Sequence, residues 1–345
     1  MKFQVNEIDK ILVYSDTPIK EVIANLNNSS LKIVLVVDQN KKLIGTIVDG
    51  DIRRGLLDGL NLNDKSEKIV NRDPLLDNKN VSTFEGIETM KVNNFGHLPI
   101  VDENSNLIGL HVLENVRRNK KRDNKVVIMA GGLGKRLRPL SNKKPKALIK
   151  VFGKPMLEHV ILSIKKSGFK NFYLSINHLG KMIKDYFLDG KKFGVSIKYI
   201  EEKNFLGTAG SLSYLNDLKN QTIMVTNCDV ISEIDYGDAI DYHKNNNADA
   251  TMIVNRHEIQ NPFGVVETKE NKFVSYTEKP IKYENISAGI YIFEAENFKY
   301  LKPETYEDMP QFFTNLVKKN KKVIVYPIFE KWNDLGHKKD LLNVE

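Results

Sequence analysis

A short apolar run, Val126–Met129, opens into Ala130-Gly131-Gly132-Leu133-Gly134, and Lys135, Arg136, Arg138, Lys143, Lys144, Lys146 and Lys150 follow in close order. Three glycines remove the side chains that would keep a ligand away from backbone N–H groups, and a polyphosphate suits such a turn. Residues 131–150 hold seven basic side chains and no acidic one. A triphosphate carries about four negative charges, and holding it against a second anion needs fixed cations: arginine offers a bidentate fork, lysine a point charge. Arg136 and Lys146 are the candidate phosphate-binding pair. Lys143, Lys144 and Lys150 read as solvated or steering charges. The spacing is neither GxxxxGK[ST] nor GxGxxG, so a Walker loop and a dinucleotide fingerprint are not expected. Alone, a GGxG turn is also compatible with a plain strand-to-helix bend.

Further along, Thr222–Asn227 is an apolar strand running into Asn227-Cys228-Asp229. A carboxylate just past the C-terminal end of a parallel strand lies where open α/β sheets place ligands. Cys228 is the single cysteine, which excludes an internal disulfide, a CxxC metal site and a dithiol redox centre, and it reads as a small buried filler. The seven histidines show no paired metal-ligand spacing, so His97, His159 and His178 read as structural or surface residues. Phe312 and Phe313 read as core.

The motif GGLGKRLRPL, followed by PKAL and GKPM, resembles the opening of the sugar-1-phosphate nucleotidylyltransferases, also called NDP-sugar pyrophosphorylases, and the resemblance covers about residues 125–345. It departs at Lys135, where a small hydroxyl residue is common. The resemblance implies a Rossmann-like mixed-sheet α/β domain. It implies nucleotide contacts at Ala130, Gly131, Gly132, Gly134, Arg136 and Lys146, and base contacts around Glu202 and the LGTAG stretch, with Leu206, Gly207 and Thr208. Thr208 also fits the simpler role of a helix cap. Asp229 and Asp334, the latter in WNDLG, are implied ligands of Mg²⁺. Sugar binding is implied for Asn227, Gly264 in NPFGVV, Glu278 and Lys279 in EKP, Asn285, and Ala288 in AGIY. Arg136, Lys146 and Lys279 are the implied catalytic cations. The LGTAG wording looks most like enzymes that make GDP-sugars.

A second pattern occupies the first third. Residues 35–45 (LVVDQNKKLIG) and 99–109 (PIVDENSNLIG) align without a gap at an offset of 64. Each copy reads as strand, polar turn, strand and helix, preceded by a helical pattern around Ile19–Leu26 or Thr83–Val92. Units this small bury little apolar surface, so two copies packed together are expected. The pattern resembles a tandem CBS pair (a Bateman module) of α+β type, with repeats at about 8–59 and 67–116. In that family an adenine nucleotide binds between the repeats and an acid grips its ribose; the matching position is Asp51. The hydroxyl residue expected three positions earlier is Val48, and the second repeat has Asn115 in place of the acid. A ligand-free scaffold stands as the alternative, with Asp51 capping a helix that begins near Ile52.

The length of 345 residues fits two domains, read as 1–120 and 121–345, and 28% charged with 41% hydrophobic residues is an ordinary globular composition. No apolar run approaches the roughly 20 residues of a membrane helix. MKFQVNEIDK is not followed by an apolar stretch, so a cytoplasmic location is expected. The net charge of +8 sits in two islands: the glycine turn above, and Arg117–Lys125, an apolar-free run read as a solvated linker. No nucleic-acid-reading motif accompanies that run, and neither nucleic acid nor membrane is expected as a partner. The combined resemblance, closest to the glucosamine-1-phosphate guanylyltransferases of bacterial legionaminic acid synthesis, implies GTP and glucosamine 1-phosphate as substrates and a homo-oligomer. A mannose-1-phosphate guanylyltransferase, a UTP- or dTTP-dependent transferase and a non-catalytic sensor of nucleotide sugars are the alternatives.

Overall fold

A computed structural model of the chain describes residues 2–4, 8–29, 31–78, 81, 83–93, 95–113, 121–215, 217–218 and 220–336. The chain divides into Met1–Arg117 and Arg118–Glu345. The first part runs β1 (Lys2–Gln4), β2 (Leu12–Val13), α1 (Ile19–Asn28), β3 (Ile33–Val37), β4 (Leu43–Val48), α2 (Asp49–Leu57), β5 (Asp77–Asn78), α3 (Thr83–Val92), β6 (His97–Val101) and β7 (Leu107–Val112).

The sequence repeat recurs atom by atom. β3–β4 and β6–β7 are antiparallel hairpins, and each first strand has a parallel neighbour, β2 or β5. In one turn Asp38 Oδ1 accepts the N–H groups of Asn40 and Lys42, both at 2.8 Å; in the other Asp102 Oδ1 accepts those of Asn104 and Asn106 at 2.8 and 2.9 Å. The two turns also bond to each other, Leu43 N–H to the Ser105 carbonyl at 3.1 Å and Leu107 N–H to the Lys41 carbonyl at 3.3 Å. At the offset of 64, Leu43 corresponds to Leu107 and Lys41 to Ser105, so the repeat maps one bond onto the other and gives this part local two-fold character. One core results, with Ile33, Leu35 and Val37 from the first copy packed with Leu107, Leu110 and Val112 from the second. The helix expected after β7 and Asn115 lie outside the described residues. Asp51 takes a capping role from inside the first turn of α2: Oδ2 accepts Val48 N–H at 2.8 Å while Oδ1 pairs with Arg54.

The second part runs β8 (Arg122–Met129), β9 (Lys150–Val151), β10 (Lys154–Pro155), α4 (Met156–Lys166), β11 (Phe169–Ile176), α5 (Gly180–Phe187), β12 (Ser196–Glu201), β13 (Thr222–Asn227), β14 (Val230–Ser232), α6 (Tyr236–Asn245), β15 (Ala250–Gln260), β16 (Val265–Lys269), β17 (Lys272–Thr277), β18 (Ile281–Glu294), α7 (Met309–Lys318), β19 (Val323–Ile328) and β20 (Trp332–Asp334). A seven-stranded mixed sheet has the order β12-β11-β8-β13-β18-β15-β19. β8 is parallel to both neighbours, and β18 is antiparallel to both of its own.

The unbroken apolar run of β8 follows from burial on two faces. Val126 and Ile128 face a core shared with α4, α5 and α6, whereas Val127 and Met129 face one that includes Met309, Phe312 and Phe313 of α7. The chain leaves β8 for β11 and β12 on one side, then returns to lay β13 on the other. That reversal makes β8 the switch strand, and ligands of open α/β sheets bind outside the C-terminal ends of strands at such a point. Among the described residues no helix is long and apolar enough to cross a membrane.

The reading of Arg117–Lys125 as solvated linker is corrected from Arg122 onward. Arg122 begins β8 and forms a bidentate pair with Asp241 of α6 at 2.8 and 2.7 Å, leaving its side chain 9% exposed. A planar guanidinium in a matched fork tolerates burial that a lone charge would not. Gly237 makes the room: a Cβ there would stand 2.5 Å from Arg122 Nε. Gly237→Ala is therefore expected to destabilise the chain by about 1–3 kcal/mol, read as a lower urea midpoint; an unchanged midpoint would show that Arg122 has another place to go.

Candidate active site at the sheet's C-terminal edge

Four strand ends supply the site. β8 runs into the glycine turn, β11 into Asn177, β12 into Glu202, and β13 through Asn227 and Cys228 to Asp229. Gly134 adopts a left-handed backbone (φ 59°), and a Cβ on it would lie 3.2 Å from Lys146 Cβ and 3.0 Å from Ser141 Cβ. Its carbonyl accepts the Ser141 hydroxyl at 2.7 Å, which folds the basic segment back over the turn. Pro145 precedes a single 3-10 turn, Lys146–Leu148, whose Ala147 and Leu148 are buried, so Lys146 is anchored from below.

Lys146 Nζ pairs with Asp229 Oδ2, and the two side chains are only 19% and 10% exposed. Asp334 joins them through β20, which pairs antiparallel with β14 so that Val230 stands opposite Asp334. Leu335 N–H bonds to the Asp229 carbonyl at 3.0 Å, and Gly336 N–H to Asp334 Oδ1 at 2.8 Å. A Cβ on Gly336 would lie 2.8 Å from Asp334 Oδ1 and 3.1 Å from Asp229 Oδ2, so the two carboxylates converge on one point. Burial, and then the charge of Asp229, raise the pKa of Asp334. Burial opposes the Lys146 ammonium, but the charge and hydrogen bond of Asp229, together with the charge of Asp334, outweigh it and hold that pKa above the ordinary lysine value. Cys228 is buried and its thiol is pushed up to about 12, first by desolvation, so it is a filler rather than a nucleophile.

Beneath the glycine turn lies a third acid. Glu202 is 7% exposed; Oε1 accepts the Ser175 hydroxyl at 2.6 Å and Oε2 accepts Leu206 N–H at 3.1 Å. A Cβ on Gly131 would stand 3.1 Å from Glu202 Oε1. Asn177 Nδ2 bonds to the Glu202 carbonyl at 2.8 Å. Ala130 is buried, and its N–H bonds to the Ser175 carbonyl at 2.8 Å. Gly132 is open on its Cβ side.

Leu206-Gly207-Thr208 docks onto the start of α7. Thr208 donates both its N–H (3.0 Å) and its hydroxyl (3.1 Å) to Asp308 Oδ1, while that hydroxyl accepts Met309 N–H at 2.8 Å. Gly207 (φ 77°) leaves room for the Glu307 carbonyl, which would stand 2.5 Å from a Cβ there. The helix that Thr208 helps to cap is thus one a hundred residues further along, and the sequence around Thr208 carries no sign of it. Asp308 and Gln311 form the capping box of that helix, with Pro310 in its first turn.

The remaining candidates lie at varied depths. Arg136 is in the 3-10 turn Lys135–Leu137, exposed and without an ion pair among the described residues. Glu278, Lys279 (φ 45°) and Asn285 are exposed. Asn227 Nδ2 would be 2.9 Å from a Cβ on Gly289, which is left-handed at φ 71°. Ala288 is fully buried, and its carbonyl accepts Trp332 Nε1 at 2.9 Å, tying β18 to β20 and so to Asp334. His159 is structural, its Nε2 2.7 Å from the Val151 carbonyl.

The family model for nucleotidyl transferases matches residues 125–345, and that for CBS domains matches residues 5–58. The chain is 31% identical over 226 residues to a mannose-1-phosphate guanylyltransferase catalytic subunit beta of Dictyostelium discoideum, covering 64% of this chain and 63% of that one. It is 31% identical over 232 residues to a UTP–glucose-1-phosphate uridylyltransferase of Synechocystis, covering 61% and 60%. The match thus spans about three fifths of the length of these curated relatives. In fold it is similar to HddC from Yersinia pseudotuberculosis complexed with GMP-PN, with a TM-score of 0.51 at 21% identity over 64% of this chain and 97% of that one. With the glycine turn, the acid pair and the mixed sheet in place, the chain belongs to the nucleotidyl transferase family and carries a CBS domain on its N-terminal side.

Proposed function

We propose that the protein condenses a sugar 1-phosphate with a nucleoside triphosphate, releasing pyrophosphate, and that GTP and glucosamine 1-phosphate are its substrates. The observation that carries this reading is the convergence of Asp229 and Asp334 beside Lys146 at the switch strand. Two hard carboxylates directed at one point, with other positions left to phosphate and water oxygens, fit a divalent ion of the Mg²⁺ kind. Among the described residues no group of three or more His, Cys, Asp or Glu is placed to hold a metal ion by itself. Asp229 and Asp334 would hold the ion, which when bound neutralises phosphate charge.

A sugar-phosphate oxygen attacks the α-phosphorus; the new P–O bond forms as the bond to the β-phosphate oxygen breaks, and pyrophosphate leaves with that electron pair. The nucleophile is already an anion at neutral pH, so no base is required and the chain's own task is positioning and charge. The N–H groups of Gly131, Gly132 and Gly134 and the Arg136 fork hold the triphosphate. Lys146 draws the phosphates toward the acid pair, and Lys279 holds the sugar phosphate. Gly264, Glu278, Asn285 and Asn227 line the sugar side, with Ala288 and Trp332 fixing the strand behind them.

Glu202 supports the guanine assignment. Its carboxylate only accepts hydrogen bonds, and guanine offers two adjacent donors, N1–H and the 2-amino group, where uracil and thymine offer one. Glu202→Gln keeps the shape, since the amide oxygen can take Leu206 N–H and its NH₂ can face the Ser175 hydroxyl. The GTP-over-UTP ratio of kcat/KM is expected to fall at least about tenfold; an unchanged ratio would place the base elsewhere. In the CBS part, an adenine nucleotide at Asp51 would share an acid already bonded to Val48 and Arg54. Turnover with and without AMP or ATP tests that role, and identical curves would remove it.

The test of the whole reading is a matrix of five nucleoside triphosphates against glucosamine 1-, mannose 1- and glucose 1-phosphate, scored by pyrophosphate. The highest yield is expected from GTP with glucosamine 1-phosphate. A maximum with mannose 1-phosphate, UTP or dTTP would reassign the substrates, and no pyrophosphate from any pair would leave a sensor.

A further inference from the structure

Three residues at the open end of the hairpin β16–β17 depend on one another for their placement: Gly264 just before β16, Tyr276 in β17 and Glu278 just after it. Glu278 lies in the bend that follows β17, and there the Tyr276 hydroxyl donates to Glu278 Oε2. Across the hairpin, a Cβ on Gly264 would overlap the Tyr276 hydroxyl and come within 2.6 Å of Cε2. The space left by the missing Gly264 side chain is therefore filled by the tyrosine ring, and Gly264 does not have a left-handed backbone that would itself demand glycine.

We infer that Tyr276 is a positioning residue for the sugar subsite: lodged against Gly264, it fixes the Glu278 carboxylate for a sugar hydroxyl, and Gly264 is glycine to admit it. This rests on the assignment of Glu278 to the sugar. Glu278 is exposed, and an exposed carboxylate at the open end of the hairpin samples several rotamers unless a donor holds it. Tyr276 supplies that donor. Its bond to Glu278 holds the phenol above its ordinary pKa, so the donor proton is present at neutral pH. One oxygen, Oε1, is left to accept a hydroxyl. Tyr276 is 55% exposed, so the ring can swing out without disturbing a core. Gly264→Ala is thus expected to unseat the ring and leave the sheet folded.

The test compares Glu278→Gln, Tyr276→Phe and Gly264→Ala in the full chain, using GTP and whichever of glucosamine 1-, mannose 1- and glucose 1-phosphate turns over fastest. Glu278→Gln reports on the sugar assignment and is expected to raise KM for the sugar phosphate alone. Tyr276→Phe keeps the ring and loses the hydroxyl; KM for the sugar phosphate is expected to rise about tenfold, with KM for GTP and the melting temperature unchanged. Gly264→Ala is expected to match it, and the double variant to be no worse than either single one. If Glu278→Gln raises that KM and Tyr276→Phe does not, the positioning role is overturned while the sugar assignment survives. If Tyr276→Phe alters both KM values together or lowers stability, the tyrosine serves the hairpin and the inference is likewise overturned. If Glu278→Gln has no effect, the sugar assignment falls and takes the inference with it.

Discussion

Asp229→Asn is expected to lower turnover by about 10²–10³ while leaving the fold intact. Asparagine keeps the shape but removes one of the two charges that converge beside Gly336, so the remaining acid faces the phosphates alone. Stability should change little. The substitution costs Lys146 one partner, yet it also relieves the repulsion that contributes to the raised pKa of Asp334. The two effects oppose one another, and a shift in melting temperature within about 3 °C is expected without Mg²⁺. Full activity in this variant would remove Asp229 from the ion-holding pair.

Lys146→Met is the complementary case, because it removes the cation and leaves both acids. Turnover is again expected to fall by about 10²–10³. Here the metal-free protein should suffer as well. Asp229, whose side chain is only 10% exposed, loses its counter-ion beside the exposed Asp334, a loss worth about 3 kcal/mol, or roughly 6–12 °C in melting temperature. Mg²⁺ should recover most of that fall, since it binds the folded acid pair and not the unfolded chain. The wild type, whose lysine already balances the acids, should gain less. A Lys146→Met protein with unchanged turnover would reduce the lysine to a structural counter-ion; one that melts normally and ignores Mg²⁺ would mean the acids do not form a joint site.

What could be read from the sequence divides along physical lines. The central strand was legible because a wholly apolar Val126–Met129 has only one stable place, between two cores, and the glycine turn after it is local geometry. The N-terminal repeat was legible because its turns are specified by Asp38 and Asp102, whose bonds reach only two and four residues ahead. Asp334 was visible only through resemblance: the ladder that brings it beside Asp229 pairs it with Val230, 104 positions earlier, and nothing in WNDLG announces that partner. Arg122 was misread because a run of charges looks solvated until Asp241 and Gly237 are known to surround it. Thr208 belongs to the same class, its partner Asp308 being a hundred residues away. Tyr276 gave no signal at all, since only the fold reveals that a glycine in the neighbouring strand's approach makes room for its ring.

Crystals grown with Mn²⁺ and a non-hydrolysable GTP analogue, measured at the manganese edge, address the acid pair without relying on turnover. An anomalous peak bonded to both Asp229 and Asp334, with the triphosphate lying between it and Arg136, is what the proposed mechanism predicts. Nucleotide seated on the glycine turn with manganese bound away from both aspartates, or with Arg136 turned from the phosphates, would refute the proposed catalytic arrangement.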